Sequence, residues 1–188
     1  YLEKHDKLTD SEGGFLRELT FHAHRIGNRS PYSNASFFDS QMTLLEELDT
    51  SKYYSFSAPT SMGKTFVLLS FIKSQIRNGT NENFAIVVPT RALLSEIANK
   101  IIVEFKDLLG DGCHKVITTT AAVQNGEKFI AVLTPERLYY ALLKQPDLQF
   151  SYIFIDEAHK ITDKDKRSII YYKILDMLRN TPNARIYF

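Results

Sequence analysis

Tyr53-Tyr54-Ser55-Phe56-Ser57 leads into Ala58-Pro59-Thr60-Ser61-Met62-Gly63-Lys64-Thr65, and that loop leads into Phe66, Val67, Leu68, Leu69, Phe71 and Ile72. The order is strand, loop, helix. In such a turn, backbone N–H groups and a helix N-terminus face an anion, a lysine reaches the outer phosphates of a nucleotide, and a threonine hydroxyl meets a magnesium ion. Gly63 suits the close approach of backbone to phosphate, because a side chain there would stand in the way. Ala58 occupies the position where the G-x-x-x-x-G-K-[ST] pattern usually begins with glycine.

Outward from this loop, short apolar runs rich in β-branched and aromatic residues alternate with amphipathic stretches, the pattern of β-α-β units and a mostly parallel sheet. Six strands are predicted: Tyr53 to Ser57, Phe84 to Val88, Lys115 to Thr119, Phe129 to Leu133, Tyr152 to Ile155 and Arg185 to Phe188. Leu93, Ile97, Ile101, Phe105 and Leu109 recur at four-residue steps, which predicts a helix lying on the sheet. A further helix is expected from about Asp165 to Arg179, stopped by Asn180-Thr181-Pro182-Asn183. Residues 1–50 read as an N-terminal helical extension, with segments around Phe15 to Ile26 and Phe38 to Leu48, ahead of an α/β domain over 51–188.

The chain has 188 residues, long enough to bury a core without staples, so the single Cys113 has no structural duty and a secreted disulfide scaffold is excluded. No run approaches the roughly 18 apolar residues of a membrane span. The N-terminus lacks the apolar core of a signal peptide, and a soluble, intracellular, cytoplasmic protein is expected. Twenty-three Lys plus Arg against 22 Asp plus Glu leave a net charge of +1, so any nucleic-acid contact has to be concentrated on one face. The chain starts without methionine and stops inside an apolar strand, which suggests a fragment of a longer protein.

Tyr152-Ile153-Phe154-Ile155 runs into Asp156-Glu157-Ala158-His159, placing two carboxylates at a strand's carboxyl end, where ligand chemistry gathers in open α/β sheets. An aspartate there can hold magnesium, and the adjacent glutamate can orient and deprotonate an attacking water. In isolation the pair would read equally well as a helix cap and a dipole partner.

Taken together these stretches resemble the N-terminal RecA-like motor domain of superfamily 2 helicases, the DEAD/DEAH-box group in the broad sense. Residues 58–65 look like motif I, which in this family often starts with alanine; Val87-Val88-Pro89-Thr90-Arg91-Ala92-Leu93 looks like motif Ia, Thr134-Pro135-Glu136-Arg137-Leu138 like motif Ib, and Asp156-Glu157-Ala158-His159 like motif II. The match covers about Ser36 to Phe188, with the four motifs in family order. It implies a RecA-like P-loop NTPase fold, ATP and Mg2+ as cofactors, and catalytic duties for Lys64, Asp156, Glu157 and His159. Pro59, Thr60, Ser61, Met62, Gly63, Lys64 and Thr65 would hold the nucleotide, with Thr65 and Asp156 on the metal. Gln41, which lies 23 residues before Lys64 and just after Phe37 and Phe38, would read the adenine edge. An amide suits that task because it donates and accepts in one plane. Otherwise it is an exposed polar residue on a helix.

The resemblance also implies that Pro89, Thr90, Arg91, Thr134, Pro135, Glu136 and Arg137 hold the sugar-phosphate backbone of a single-stranded RNA or DNA. Each motif follows a strand end and opens a helix, so hydroxyls, helix N-termini and guanidinium groups can be offered to phosphates from one edge. The plain reading of the same residues is two N-caps (Thr90, Thr134), a proline at a first helical position and solvated arginines. Thr118, Thr119 and Thr120 could extend that surface or simply favour a strand. Tyr139, Tyr140, Tyr171 and Tyr172 read as half-buried helix packing, and His114 shows no metal-ligand spacing. A second RecA-like domain of the same protein is the expected partner. The alternatives are another P-loop enzyme, such as a GTPase or a kinase, and a non-catalytic nucleic-acid-binding module. Guanine selection usually needs Asn-Lys-x-Asp, whereas Asn99-Lys100 is followed by Ile101-Ile102.

Overall fold

The computed structural model describes residues 37–56, 63–110, 113–122, 126–156, 166–179, 181 and 184–188. In chain order the elements are α1 (Asp39–Thr50), β1 (Tyr53–Tyr54), α2 (Lys64–Arg77), β2 (Phe84–Val87), α3 (Arg91–Glu104), β3 (Lys115–Ile117), β4 (Phe129–Leu133), α4 (Pro135–Lys144), β5 (Tyr152–Ile155), α5 (Lys166–Arg179) and β6 (Arg185–Tyr187). Short 3-10 turns lie at Lys106–Leu108 and Thr120–Ala122. The strands form one six-stranded sheet in the order β1-β6-β5-β2-β4-β3, and every pairing is parallel. The α/β, RecA-like sheet expected from the sequence is therefore present. No helix among the described residues is long and apolar enough to cross a membrane.

The central strands are buried on both faces, which is why they read as continuous apolar runs rather than as alternating ones. Phe84, Ile86, Ile130, Val132, Tyr152, Phe154 and Tyr187 point to the side covered by α1, α2 and α3. Ala85, Val87, Ala131, Leu133, Ile153, Ile155 and Ile186 point to the side covered by α4 and α5. Aromatic rings form a row across the first side. Tyr187 stacks on Phe154 with centroids 5.1 Å apart, Phe84 on Tyr152 at 5.3 Å, and Phe71 of α2 meets Tyr152 edge-on at 5.3 Å. Offset and edge contacts of this kind add about 0.5–1.5 kcal/mol per pair beyond area burial.

Most differences from the sequence reading lie at element ends. β1 stops at Tyr54, although Phe56 N–H still donates to the Phe188 carbonyl at 3.0 Å, and Ser57 lies outside the described residues. β6 ends at Tyr187, with Phe188 N–H donating to the Tyr54 carbonyl at 3.0 Å. α3 ends at Glu104 because the chain tightens into the 3-10 turn, so Leu109 leaves the helix and bridges to His114. Its buried stripe is Leu94, Ile97, Ala98 and Ile101, continued by Phe105, while Leu93 is only half-buried. The predicted segment around Phe15 to Ile26 lies outside the described residues. Of the paired tyrosines, Tyr171 is fully buried and Tyr139 half-buried, but Tyr140 and Tyr172 are exposed.

Asn83, just before β2, knits the amino ends of three strands. Its side-chain carbonyl accepts from Phe129 N–H at 2.9 Å and its backbone carbonyl accepts from Ser151 N–H at 2.9 Å. Beside it, His114 is 2% exposed and donates its Nε2–H to the Glu82 carbonyl at 2.9 Å. Burial holds this imidazole below its ordinary pKa, outweighing the carbonyl contact that favours the charged form, with Lys128 adding to the depression. The folded state thus disfavours the proton that the unfolded chain accepts near pH 6.5. Stability from this site is complete above about pH 6.5 and is lost as the pH falls below it. Thermal melts from pH 8 to pH 5 should show a steeper acid loss for the natural chain than for His114→Gln; parallel curves would assign the acid sensitivity elsewhere.

Candidate nucleotide and strand-binding edge

Gly63 caps α2 with a left-handed backbone, φ +74° and ψ 36°, a conformation that costs an L side chain about 1–2 kcal/mol. Its carbonyl accepts from Val67 N–H at 3.1 Å, so the first turn is closed directly from the glycine. Lys64 and Thr65 open the helix, half-buried, and no acidic residue stands in that first turn. The helix N-terminus therefore directs its positive potential toward the loop with no acidic residue in its own first turn to cancel it. Pro59, Thr60, Ser61 and Met62 lie outside the described residues.

Gln41 sits against this turn, in the first turn of α1. It is 5% exposed, so it is not the exposed surface residue that the alternative reading required. Phe38 at the N-cap has no side-chain acceptor, and the Gln41 Oε1 accepts the Phe38 N–H instead, at 2.9 Å. With the amide oriented this way, Nε2 faces Gly63. A Cβ added at Gly63 would come within 3.2 Å of it. The Phe37 ring packs on Phe66 of α2 at 5.1 Å, holding the two helix starts together.

The other end of α1 is fastened by residues that sequence reasoning did not single out. Tyr187 directs its hydroxyl at the carbonyls of Leu48 (2.7 Å) and Ser51 (3.1 Å). Arg185 donates to the Asp49 carbonyl at 2.8 Å while its guanidinium lies 5.3 Å from the Tyr152 ring centroid. These are the terminal carbonyls that a helix cannot satisfy internally, and a cation there also complements the helix dipole. Burial pushes the Tyr187 hydroxyl up to about 12 against the pull of Arg185, so it stays a donor across the physiological range. Nothing in the local sequence announces this anchor, because its two sides lie 136 to 139 residues apart.

Asp156 leaves β5 at its carboxyl end, half-buried, and its N–H donates to the Val87 carbonyl at 2.9 Å. One strand, β6, separates β5 from β1, so the strand feeding the phosphate loop and the strand carrying Asp156 are about 9.5 Å apart across the sheet. Glu157, Ala158 and His159 lie outside the described residues. On the far side of β5 come β2 and β4, with Val87 paired to Leu133. Thr90 and Thr134 cap the helices that follow: Thr90 Oγ1 accepts Leu93 N–H at 3.3 Å, and Thr134 Oγ1 accepts Arg137 N–H at 3.4 Å. Each hydroxyl keeps its own proton to donate, so capping and phosphate contact are compatible. Thr90 and Arg91 are exposed, Thr134 is only 7% exposed, Pro89 and Pro135 are buried, and Glu136 is half-buried. Arg137 turns its guanidinium inward to the Thr118 carbonyl.

A parallel sheet with helices on both faces, a glycine-capped Gly-Lys-Thr helix start and an aspartate at the end of a nearby strand make this the N-terminal RecA-like domain of a superfamily 2 helicase. The chain belongs to the DEAD/DEAH box helicase family, whose model matches residues 38–188. It is similar to a probable ATP-dependent RNA helicase of Rattus norvegicus, 33% identical over 122 residues, which are 58% of this chain and 20% of that protein. It is also similar to anti-bacteriophage protein B of Escherichia coli K12, 28% identical over 141 residues, 74% of this chain and 18% of that one. Among solved structures, the Hef helicase domain of Pyrococcus furiosus shares the fold with a TM-score of 0.58 at 17% identity, over 79% of this chain and 32% of that one. The chain thus spans about one fifth of the length of these two curated relatives.

Proposed function

We propose that this domain is the nucleotide-binding half of an ATP-driven helicase or translocase, which takes Mg-ATP on α2 and β5 and one nucleic-acid strand on the helices after β2 and β4. The observation that carries the reading is the shared edge: Gly63-Lys64-Thr65 opening α2, Gln41 against Gly63, and Asp156 at the end of β5. The donor set fits magnesium, since a threonine hydroxyl and a carboxylate are hard oxygen ligands. A bound magnesium would neutralise charge that develops on the phosphates. Lys64 supplies a second positive charge, Gln41 meets the base, and Glu157 orients and deprotonates water. A second RecA-like domain of the same protein completes the site. Asn99-Lys100 lies inside α3 with both residues exposed, which disfavours a guanine-selecting site.

The relative from Rattus norvegicus carries the name of a probable ATP-dependent RNA helicase, which favours RNA as the strand here. Lys64→Ala removes a charge-assisted contact of about 1.5–3 kcal/mol, an expected ten- to hundredfold loss of Mg-ATP affinity. Isothermal calorimetry with Mg-ATP and Mg-GTP checks this. Unchanged ATP affinity in the variant, or a preference for GTP, would sink the assignment.

A further inference from the structure

Arg137 has a task inside the domain that differs from the phosphate contact its motif suggests. β3 is an edge strand that pairs with β4 only from Lys115 to Ile117, opposite Phe129 to Ala131. β4 runs two residues further, through Val132 and Leu133, with no strand partner on that side among the described residues. The carbonyl of Thr118 is the first group after the ladder ends, and Arg137 Nη1 donates to it at 2.6 Å. A helical side chain points back toward its own N-terminus, which is how a residue in the first turn of α4 reaches the sheet edge. A half-buried, charge-assisted bond of this length is among the stronger ones a protein makes.

Beyond Thr118 the chain turns at once. Ala122 N–H donates to the Thr119 carbonyl at 3.3 Å, closing the 3-10 turn Thr120–Ala122 beside α4. Thr119 is exposed where the chain leaves β3, next to the strand whose carboxyl end carries Thr134. Arg137 thus bonds the first residue past the ladder, where this turn leaves the sheet.

We infer that Arg137 is a positioning residue for strand binding, holding Thr118–Ala122 so that the Thr119 hydroxyl joins the phosphate-facing edge, and does not itself serve as a phosphate ligand. This rests on the strand-binding reading above, so the test has one arm that needs no nucleic acid. In the intact chain without any strand, Arg137→Met should speed hydrogen exchange of the amides at 118–122 by about tenfold or more, because the bond that closes the segment is gone. In the second arm, affinity for a single-stranded RNA is measured across a salt series for the natural chain, Arg137→Met, Thr119→Ala and the double variant. Arg137→Met should weaken binding severalfold with an unchanged salt slope, and Thr119→Ala should add little to it. Unaltered exchange at 118–122 would overturn the inference. So would a salt slope reduced by about 0.7, the mark of one lost phosphate contact, with additive effects in the double variant. Faster exchange with undiminished affinity would overturn it as well. If the natural chain binds no strand, the functional reading fails while the exchange arm still decides whether Arg137 holds the turn. Should Arg137→Met not fold, Arg137→Gln, which keeps a donor but no charge, takes its place in both arms.

Discussion

Residues 1–188 on their own are expected to hydrolyse ATP roughly 10³–10⁵ times more slowly than a motor that also carries the second RecA-like domain. In phosphoryl transfer little covalent chemistry falls to the protein, and charge stabilisation at the transferring group sets the rate. The described candidates on this domain, Lys64, Thr65 and Asp156, all belong to one sheet edge, and on the proposed reading the arginines that complete the transition state are supplied by a second RecA-like domain. The isolated chain should still bind nucleotide, weakly. Strand affinity should be low and fall with salt, since a net charge of +1 offers no long-range attraction. Steady-state ATPase of the purified chain, alone and with single-stranded RNA or DNA, measures this. Robust turnover without the second domain would show that this edge is catalytically sufficient.

In a protein carrying both domains, Glu157→Gln should keep Mg-ATP affinity within about twofold while turnover falls by about 10²–10⁴, the usual worth of a general base. Glu157 is the next residue after Asp156, which directly follows β5. Exchanging the carboxylate for an isosteric amide removes proton abstraction and leaves Lys64, Thr65 and Asp156 in place. Calorimetry and single-turnover kinetics separate the two quantities. Parallel losses of binding and turnover would make Glu157 a structural residue.

Strand positions were legible because Phe84–Val87, Phe129–Leu133 and Tyr152–Ile155 are buried on both faces, and such strands cannot tolerate polar residues. Helix positions followed from periodicity, but ends did not. Whether α3 continues past Glu104 depends on the 3-10 turn at Lys106–Leu108, a local geometry that the four-residue repeat does not encode. Gln41 shows the same division. The family resemblance implied a base reader at this position, whereas its burial and its approach to Gly63 come from α1 being fastened at both ends, by Phe37 on Phe66 and by Tyr187 and Arg185 on the last carbonyls. Arg137 is the converse case. Its motif pointed outward to phosphate, and its observed partner, the Thr118 carbonyl, lies 19 residues away, just past an edge strand whose length no motif specifies.

The most direct measurement is steady-state ATP turnover of a protein carrying this domain and a second RecA-like domain, with and without single-stranded RNA or DNA, beside the Lys64→Ala variant. Turnover that rises when strand is added and collapses in Lys64→Ala is the expected result. Turnover indifferent to both strands, or retained without Lys64, would contradict the reading of this domain as half of a strand-driven ATP motor.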